Sequence, residues 1–261
     1  MTALDGLSFA VDAGMIFGLL GPNGAGKSTT VKILTTLSRA DSGAARVAGL
    51  DVVRDAERVR RSIGVVGQRP GLDPDATGRE NLEMQAEIYG LVGGARRERV
   101  EQLLDRLGLA DAAGRLAKTY SGGMQRRLDV AIGLVHRPQV LFLDEPTTGL
   151  DPEARVELWR EIERLAGEEE MTILLTTHYL EEADRLAGRL AIVDHGRVVA
   201  EGTPDELRAS SAATPSRSSS SSPQMVTPPR PSPVSPRSAS SPSMAGLSVR
   251  ASLMAPPPSR W

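Results

Sequence analysis

The sequence lacks cysteine and has few aromatic residues. None of the 261 residues is a cysteine, so disulfides, thiolate zinc sites and cysteine nucleophiles are excluded, and a reducing compartment fits the composition. No run approaches the roughly 18 consecutive apolar residues that a membrane-spanning helix needs. The first twelve residues show no basic leader followed by an apolar run, as a secretory signal would. We therefore expect a cytoplasmic protein that does not cross a bilayer by itself.

Charge is distributed unevenly along the chain. All 33 acidic residues and 26 of the 31 basic residues precede position 209, so residues 1–208 carry a formal charge of −7 and residues 209–261 carry +5. Aromatic residues make up 3% of the chain. A nucleic-acid-binding protein needs a basic face with aromatic stacking platforms, so we expect no nucleic-acid partner.

Composition changes abruptly near Arg208. Residues 209–261 contain 17 Ser and 11 Pro, with too few large apolar groups to offset the entropy of ordering the chain. We predict a disordered tail there. The abrupt loss of acidic residues also fits a reading-frame slip, and the sequence does not separate these alternatives.

Before residue 209, apolar runs of strand length alternate with helical stretches. The runs are continuous, as in strands that are covered on both faces, and comprise residues 16–20, 63–66, 140–143, 172–176 and 190–193. Asp151 before Pro152 predicts one helix start, with Gly167 as its end, and Thr77 with Glu80 predicts a capping box at another. The section from about 69 to 136 has only helical signals. The pattern predicts an α/β domain over residues 1–208, interrupted by a helical insertion.

A phosphate-binding motif lies between the first of these runs and a helical stretch. The sequence GPNGAGKST matches G-x-x-x-x-G-K-[ST] in the required strand, loop and helix context. Glycines let backbone N–H groups turn toward a phosphate, and the helix N-terminus adds positive potential. Lys27 would neutralise β- and γ-phosphate oxygens, and the Ser28 hydroxyl would hold Mg²⁺. The candidate nucleotide-binding residues are Gly21, Pro22, Asn23, Gly24, Ala25, Gly26, Lys27, Ser28 and Thr29.

Two carboxylates follow the apolar run 140–143, where a P-loop protein needs an acidic group near its metal. We expect Asp144 to hold Mg²⁺ and Glu145 to polarise the attacking water. Considered alone, Glu145 could equally be an exposed turn carboxylate before Pro146.

A second anion-binding helix start is predicted at Ser121. This residue can cap the following helix, and Gly122 and Gly123 leave its first N–H groups open to an anion. One nucleotide does not need two such helix ends from one chain, so a partner subunit is indicated. The alternative is an ordinary glycine-containing cap.

These motifs, in this order, resemble the ATP-binding subunits of ABC transporters over residues 1 to about 207. Besides the P-loop, Ser121-Gly122-Gly123 is similar to the family signature and Asp144-Glu145 to its acidic pair. Further matches are Gln68 with the Q-loop glutamine, Gly149-Leu150-Asp151 with the D-loop, and His178 with the switch histidine.

The resemblance implies both a fold and a set of roles. The fold is a P-loop ATPase core with a parallel-rich sheet, a small antiparallel β part and a helical subdomain at about 69–136. The cofactors would be ATP and Mg²⁺. Catalysis would involve Glu145, His178 and Gln68, and the metal would be bound by Ser28, Gln68 and Asp144. Further nucleotide contacts would come from Ser121, Gly122, Gly123 and Asp151.

The resemblance also implies partners. Two copies would pack head to tail as a homodimer, with each ATP held between the P-loop of one and the signature of the other. A separate transmembrane permease would bind near Gln68 and the helical insertion, which places the protein at the cytoplasmic face of the membrane. The sequence Gly18 to Thr30, together with the signature Tyr120 to Met124, resembles the drug-resistance exporter branch.

Three features depart from the family pattern. No Tyr or Trp precedes Gly21, whereas members stack an aromatic residue on adenine; Phe9 and Phe17 are expected in the core instead. Such stacking contributes about 1–3 kcal/mol, so we expect either a start upstream of Met1 or weak nucleotide binding. Tyr120 and Met124 replace the more common Leu and Gln, a change we expect to be tolerated. The Ser/Pro-rich tail stands where exporters have a folded extension.

Other functions remain open at this point. One is a soluble ABC ATPase that acts on ribosomes or DNA, and another is a truncated or frame-shifted cassette without function. A third is a P-loop kinase or GTPase, although kinases and GTPases lack the Ser-Gly-Gly helix. A neighbouring gene for a membrane permease would favour transport.

Overall fold

The computed structural model describes residues 2–168, 170–212 and 249–253; for 211–212 and 249–253 it describes the backbone. Its first half contains β1 (Leu7–Val11), β2 (Ile16–Leu20), α1 (Lys27–Leu34), β3 (Ala44–Val47), β4 (Leu50–Asp51), α2 (Ala56–Ser62), β5 (Ile63–Val66), α3 (Gly78–Ile88), α4 (Gly93–Arg106) and α5 (Gly122–Leu134). Short 3₁₀ helices at Ala110–Ala112 and Ala117–Thr119 precede α5. The second half contains β6 (Val140–Asp144), α6 (Pro152–Glu168), β7 (Thr172–Thr177), α7 (Leu180–Leu186), β8 (Arg189–Asp194), β9 (Arg197–Gly202), α8 (Pro204–Ala212) and β10 (Val249–Leu253).

A six-stranded sheet in the order β5-β6-β7-β2-β8-β9 forms the centre of the fold. Its first five strands are parallel and β9 is antiparallel. The five predicted apolar runs coincide with β2, β5, β6, β7 and β8, with β6, β7 and β8 longer by one or two residues. The prediction of a parallel-rich sheet is confirmed.

Each face of this sheet has its own apolar core, because neighbouring side chains of a strand point to opposite faces. In β6, Val140 and Phe142 pack with residues of α1 and of the small sheet. Leu141 and Leu143 pack with residues of α3 to α6. Covering on both faces explains why these strands are continuously apolar.

A second, antiparallel sheet has the order β1-β10-β3-β4 and is the small β part that was expected. Phe9 of β1 stacks on Phe17 of β2 with ring centroids 5.4 Å apart, and both are buried. The prediction that these rings belong to the core is confirmed.

The section from about 69 to 136 consists of helices and turns, as predicted, apart from an isolated bridge between Thr77 and Leu116. The capping box forms: the Thr77 hydroxyl accepts from the Glu80 N–H, and the Glu80 carboxylate accepts from the Thr77 N–H. Asp151 caps α6 through the Ala154 N–H at 2.9 Å. Gly167 lies within the last turn of α6 and does not end it, because its backbone stays helical.

Two pieces of the predicted disordered tail differ from that prediction. Helix α8 continues through residues 209–212, and β10 pairs with β1 on one side and β3 on the other. The physical reason is that β1 and β3 each offer backbone N–H and C=O groups that need partners, which a strand between them supplies. The rest of the tail, 213–248 and 254–261, lies outside the described residues.

Candidate nucleotide site

The predicted P-loop connects the end of β2 to the start of α1. Strand β8 lies next to β2 in the sheet and runs parallel to it. Gly21 has no room for a side chain, because a Cβ there would lie 2.1 Å from the carbonyl oxygen of Val193 in β8. Gly26 has φ +107°, in the left-handed region that favours glycine. These two glycines let the loop turn tightly just before α1 begins at Lys27, and the free N–H groups of a helix start are what binds a phosphate in such a loop.

Lys27 begins α1, and its side chain is buried against this loop. Its Nζ donates to the carbonyl oxygens of Gly21 at 2.7 Å and Pro22 at 3.1 Å, and lies 3.4 Å from Glu145 Oε1. The ammonium group is thus held beneath the loop and beside a carboxylate. A phosphate oxygen entering the loop would meet a fixed positive charge there.

Ser28, Gln68 and Asp144 meet in one hydrogen-bonded group. Ser28 Oγ donates to Asp144 Oδ1 at 3.1 Å, and Gln68 Nε2 donates to Ser28 Oγ at 3.1 Å. Thr176 Oγ1 also donates to Asp144 Oδ1, at 2.6 Å. The structure therefore brings together the three predicted metal ligands, although they lie 40 and 116 positions apart in sequence.

The oxygen-bearing side chains of this group fit Mg²⁺ as ligands. A hydroxyl, a side-chain amide and a carboxylate are hard oxygen ligands, which Mg²⁺ prefers, and this ion usually takes its remaining ligands from phosphates and water. In the described part of the chain, no group of three or more His, Cys, Asp or Glu is arranged to hold a metal without such additional ligands. Ser28, Gln68 and Asp144 would therefore hold Mg²⁺ together with the oxygens of a bound triphosphate.

Glu145 lies where β6 ends, between Lys27 and His178. Its Oε2 is 3.3 Å from His178 Nδ1, a contact within ion-pair distance but without hydrogen-bond alignment. Its N–H donates to the carbonyl and hydroxyl oxygens of Thr176 at 3.1 and 3.0 Å. Glu145 also has φ +50°, which costs a non-glycine residue about 1–2 kcal/mol. The reading of Glu145 as a free turn carboxylate does not fit these contacts.

Lys27, Ser28, Gln68 and Glu145 border one open cavity of about 530 Å³. Its lining residues are Thr2, Ala3, Asn23, Gly24, Gly26, Lys27, Ser28, Thr29, Gln68 and Glu145. Most of them were predicted from the P-loop motif, from Gln68 and from Glu145. Thr2 and Ala3 were not, and no signal in the sequence places the first residues beside the loop.

The predicted second anion site lies at the start of α5, apart from this cavity. Ser121 caps α5 by accepting the Met124 N–H at 3.2 Å. Gly123 packs against α6, where an added Cβ would lie 2.8 Å from the Ala154 Cβ. Among the described residues, no hydrogen bond joins 121–123 to the P-loop, whereas the 150–154 segment is their neighbour.

The replacement of the usual signature leucine by Tyr120 has a structural explanation. Tyr120 is buried, and its hydroxyl donates to the Ala112 carbonyl oxygen at 2.7 Å. Gly78 leaves the room for this ring, since a Cβ there would lie 2.1 Å from the Tyr120 hydroxyl. The Tyr120 ring thus packs inside the helical region, beside Gly78 and Ala112, while Ser121 and Gly122 at the start of α5 stay exposed.

Sequence reasoning missed three residues around the site: Thr176, Arg126 and Asp129. Thr176 is an ordinary β-strand residue by sequence, and only the pairing of β7 with β6 sets its hydroxyl beside Asp144. Arg126 and Asp129 have the spacing of an exposed helical ion pair, yet both are buried.

Comparisons with known proteins agree with this geometry. Residues 4–148 match the family described as ABC transporter. The chain is 54% identical over 208 residues to the daunorubicin/doxorubicin resistance ATP-binding protein DrrA of Streptomyces peucetius, covering 80% of this chain and 63% of that protein.

Two solved structures are similar in fold. The first, cbiO1 from Clostridium perfringens, described as part of the ABC transporter complex cbiONQ, has a TM-score of 0.74 and 29% identity, covering 80% of this chain and 85% of that one. The second, a dimeric post-hydrolysis state of an ATP-binding cassette bound to ADP and Pi, has a TM-score of 0.70 and 27% identity, covering 77% and 90%.

The chain spans less than two thirds of the length of the resistance proteins that it matches in Streptomyces. In the described ranges, no helix has both the length and the apolar character that crossing a membrane requires. The P-loop adjoins the acidic pair in the structure, the family match covers more than half of the chain, and the chain is 54% identical to a resistance ATP-binding protein. This chain therefore belongs to the ABC transporter family.

Proposed function

We propose that this protein is the ATP-binding and ATP-hydrolysing subunit of an ABC exporter for a drug or another small molecule. One observation carries the proposal: two contact groups meet where the P-loop adjoins the end of β6. Lys27, Glu145 and His178 form one group, and Ser28, Gln68 and Asp144 form the other. The drug-resistance name of the Streptomyces peucetius relative supports the export class.

In the proposed reaction, the P-loop and Lys27 bind the β- and γ-phosphates of ATP. Glu145 orients a water molecule, whose oxygen attacks the γ-phosphorus while the bond to the β,γ-bridging oxygen breaks. Lys27 and His178 balance the charge that develops on the γ-phosphoryl oxygens. Bound Mg²⁺ would supply neutralisation of phosphate charge, held by Ser28, Gln68 and Asp144. The products are ADP and phosphate.

The site is incomplete within one chain, which supports a head-to-tail homodimer. The start of α5 presents Ser121 and Gly122 to solvent and makes no hydrogen bond to its own P-loop within the described residues. A second copy turned by a two-fold rotation would bring its Ser121 and Asp151 toward this ATP. The dimeric state of the similar cassette supports this arrangement.

A separate permease would bind the helical region beside Gln68. Exposed apolar side chains cluster on and after α3: Met84, Ile88 and Val92 are 49%, 71% and 72% exposed. Large apolar groups that are exposed together mark interaction surfaces. A permease bound here would hold the protein at the cytoplasmic face of the membrane, and opening of the dimer after hydrolysis would pull on it.

Replacing Glu145 with glutamine tests the hydrolytic role. Glu145→Gln keeps the size of the side chain and leaves Lys27 in place, so ATP binding should persist. Loss of the carboxylate should lower the rate constant of ATP hydrolysis by about 10²-fold or more. ATP should then hold two copies together, which sedimentation velocity measures. Glu153→Gln is the matched control, because Glu153 is an exposed carboxylate in the first turn of α6.

Hydrolysis near the wild-type rate in Glu145→Gln would remove this residue from its role. A variant that stays monomeric at saturating ATP, while the wild type hydrolyses ATP, would contradict the shared site. Copurification with a membrane permease from native membranes tests the export assignment separately.

A further inference from the structure

Arg126 of α5 connects two parts of the nucleotide site that lie far apart in sequence, the segment around Gln68 and the segment around Glu145. This residue is in the second turn of α5, and only 5% of its surface is exposed. Its Nε donates to the Pro146 carbonyl oxygen at 2.6 Å, and its Nη1 donates to the Gly67 carbonyl oxygen at 2.6 Å. Its Nη2 lies 3.4 Å from the Asp144 carbonyl oxygen. One guanidinium group therefore holds the residue before Gln68 and the residue after Glu145.

Asp129, one turn further along α5, holds the other end of the Gln68 loop. Its Oδ2 accepts from Arg126 Nη1 at 3.0 Å, and its Oδ1 accepts from the Gly71 N–H at 2.9 Å. Gly67 and Gly71 flank Gln68, so the loop that carries this side chain is fastened to α5 at both ends. Gln68 in turn contacts Ser28 of the P-loop.

Stability alone does not account for this pair. Burial lowers the pKa of Arg126 and raises the pKa of Asp129, which is the desolvation cost of each charge, although their mutual contact opposes both shifts. A buried ion pair can often be replaced by apolar residues of similar volume without loss of stability. The directional hydrogen bonds of the guanidinium, in contrast, fix two loops relative to one helix, and apolar side chains cannot do so.

We propose that Arg126 and Asp129 are positioning residues that set the Gln68 loop and Glu145 relative to α5. The helix that begins at Ser121 thereby determines where the metal-side glutamine and the water-orienting carboxylate lie. A shift of α5, when a partner subunit contacts its N-terminus, moves both groups together. This inference rests on the proposed ATP hydrolysis.

The decisive variant replaces the whole pair by apolar residues, Arg126→Met with Asp129→Leu, because this leaves no unpaired buried charge. In the full chain, we expect the ATP dissociation constant to stay within about threefold of wild type, since the P-loop is untouched. The rate constant of hydrolysis should fall about tenfold or more, because small misplacements of reacting groups slow a reaction strongly. Arg126→Lys, which keeps the charge but not the planar fork, should be intermediate.

Arg79→Met is the matched control. Arg79 forms a bidentate ion pair with Glu101, at 2.6 and 3.0 Å, between α3 and α4 of the same helical region. It holds no loop of the nucleotide site. This variant should keep the wild-type rate constant even if its melting temperature falls.

Two further measurements separate positioning from a general loss of structure. In a Gln68→Ala background, the double apolar replacement should lower the rate by a smaller factor than in wild type, because the shared loop has already lost its function. Hydrogen exchange at the Gly71 amide should become faster in the double apolar variant and stay unchanged in Arg79→Met.

A wild-type rate constant in the double apolar variant would overturn the proposal, as would equal losses with and without Gln68. A parallel loss of ATP affinity and rate would also overturn it. If the wild type itself does not hydrolyse ATP, the proposed function fails, and the Gly71 exchange rate still decides whether the pair fixes the loop.

Discussion

Replacing Gly21 with alanine should show how tightly the sheet fixes the P-loop. The added Cβ would lie 2.1 Å from the Val193 carbonyl oxygen, whereas ordinary contacts begin at 3.4 Å. The obstacle is the backbone of β8, which pairs with β2 on one side and β9 on the other and cannot move independently. The loop must therefore shift by about 1 Å, and overpacking of this kind costs about 1–3 kcal/mol of unfolding free energy.

The same shift should weaken nucleotide binding. Because Gly21 accepts a hydrogen bond from Lys27, moving its carbonyl moves the ammonium group as well. We expect the dissociation constant for ATP to rise about tenfold or more, equivalent to about 1.4 kcal/mol. Urea unfolding followed by circular dichroism gives the stability, and equilibrium titration with a fluorescent ATP analogue gives the affinity.

Two other glycines provide controls for this substitution. Gly24 has φ +82° but open space around it, so Gly24→Ala should cost only the left-handed strain of about 1–2 kcal/mol in unfolding free energy, and it is a control for stability alone because Gly24 lines the cavity. Gly94 in α4 has open space and no positive φ, so Gly94→Ala should be neutral or stabilising by up to about 1 kcal/mol. If Gly21→Ala were as stable as Gly94→Ala and bound ATP normally, the contact with β8 would not restrict the loop.

Two further predictions concern Lys27 and His136. Lys27→Ala should lose most ATP affinity, since it removes the charge held under the loop; equilibrium binding checks this, and wild-type affinity would contradict it. Burial lowers the pKa of His136 below its ordinary 6.5, so the unfolded chain takes up the proton first and stability should fall as pH drops below 6.5. Urea unfolding midpoints between pH 5 and 8 should depend less on pH in His136→Gln than in wild type. An unchanged dependence of the midpoint on pH would refute this. His195→Gln, which changes an exposed turn residue, is the control.

The local parts of the site could be predicted because each depends on a short stretch of chain. The P-loop needs glycines at fixed spacing, a capping box needs Thr77 and Glu80 three positions apart, and Asp151 needs only the helix that follows it. Their hydrogen bonds close within a few residues, so the sequence contains both partners.

The contacts that join distant segments could not be predicted from residue spacing alone. Thr176 reaches Asp144 because β7 pairs with β6 in one register, and a shift of one residue would point its hydroxyl to the other face. Arg126 and Asp129 have the spacing of a solvated helical pair, and only the packing of α5 against the loops buries them.

The amino-acid sequence by itself therefore determined five strands of the central sheet, the phosphate loop and the identity of the acidic pair, since these follow from apolar runs, glycine spacing and position at a strand end. The tertiary structure alone decided that Lys27, Glu145 and His178 lie together, that the start of α5 is separate from its own P-loop, and that one arginine links the two loops beside the site. The reason is physical: sheet order and helix packing bring together groups more than 100 positions apart, and those distances depend on the whole core.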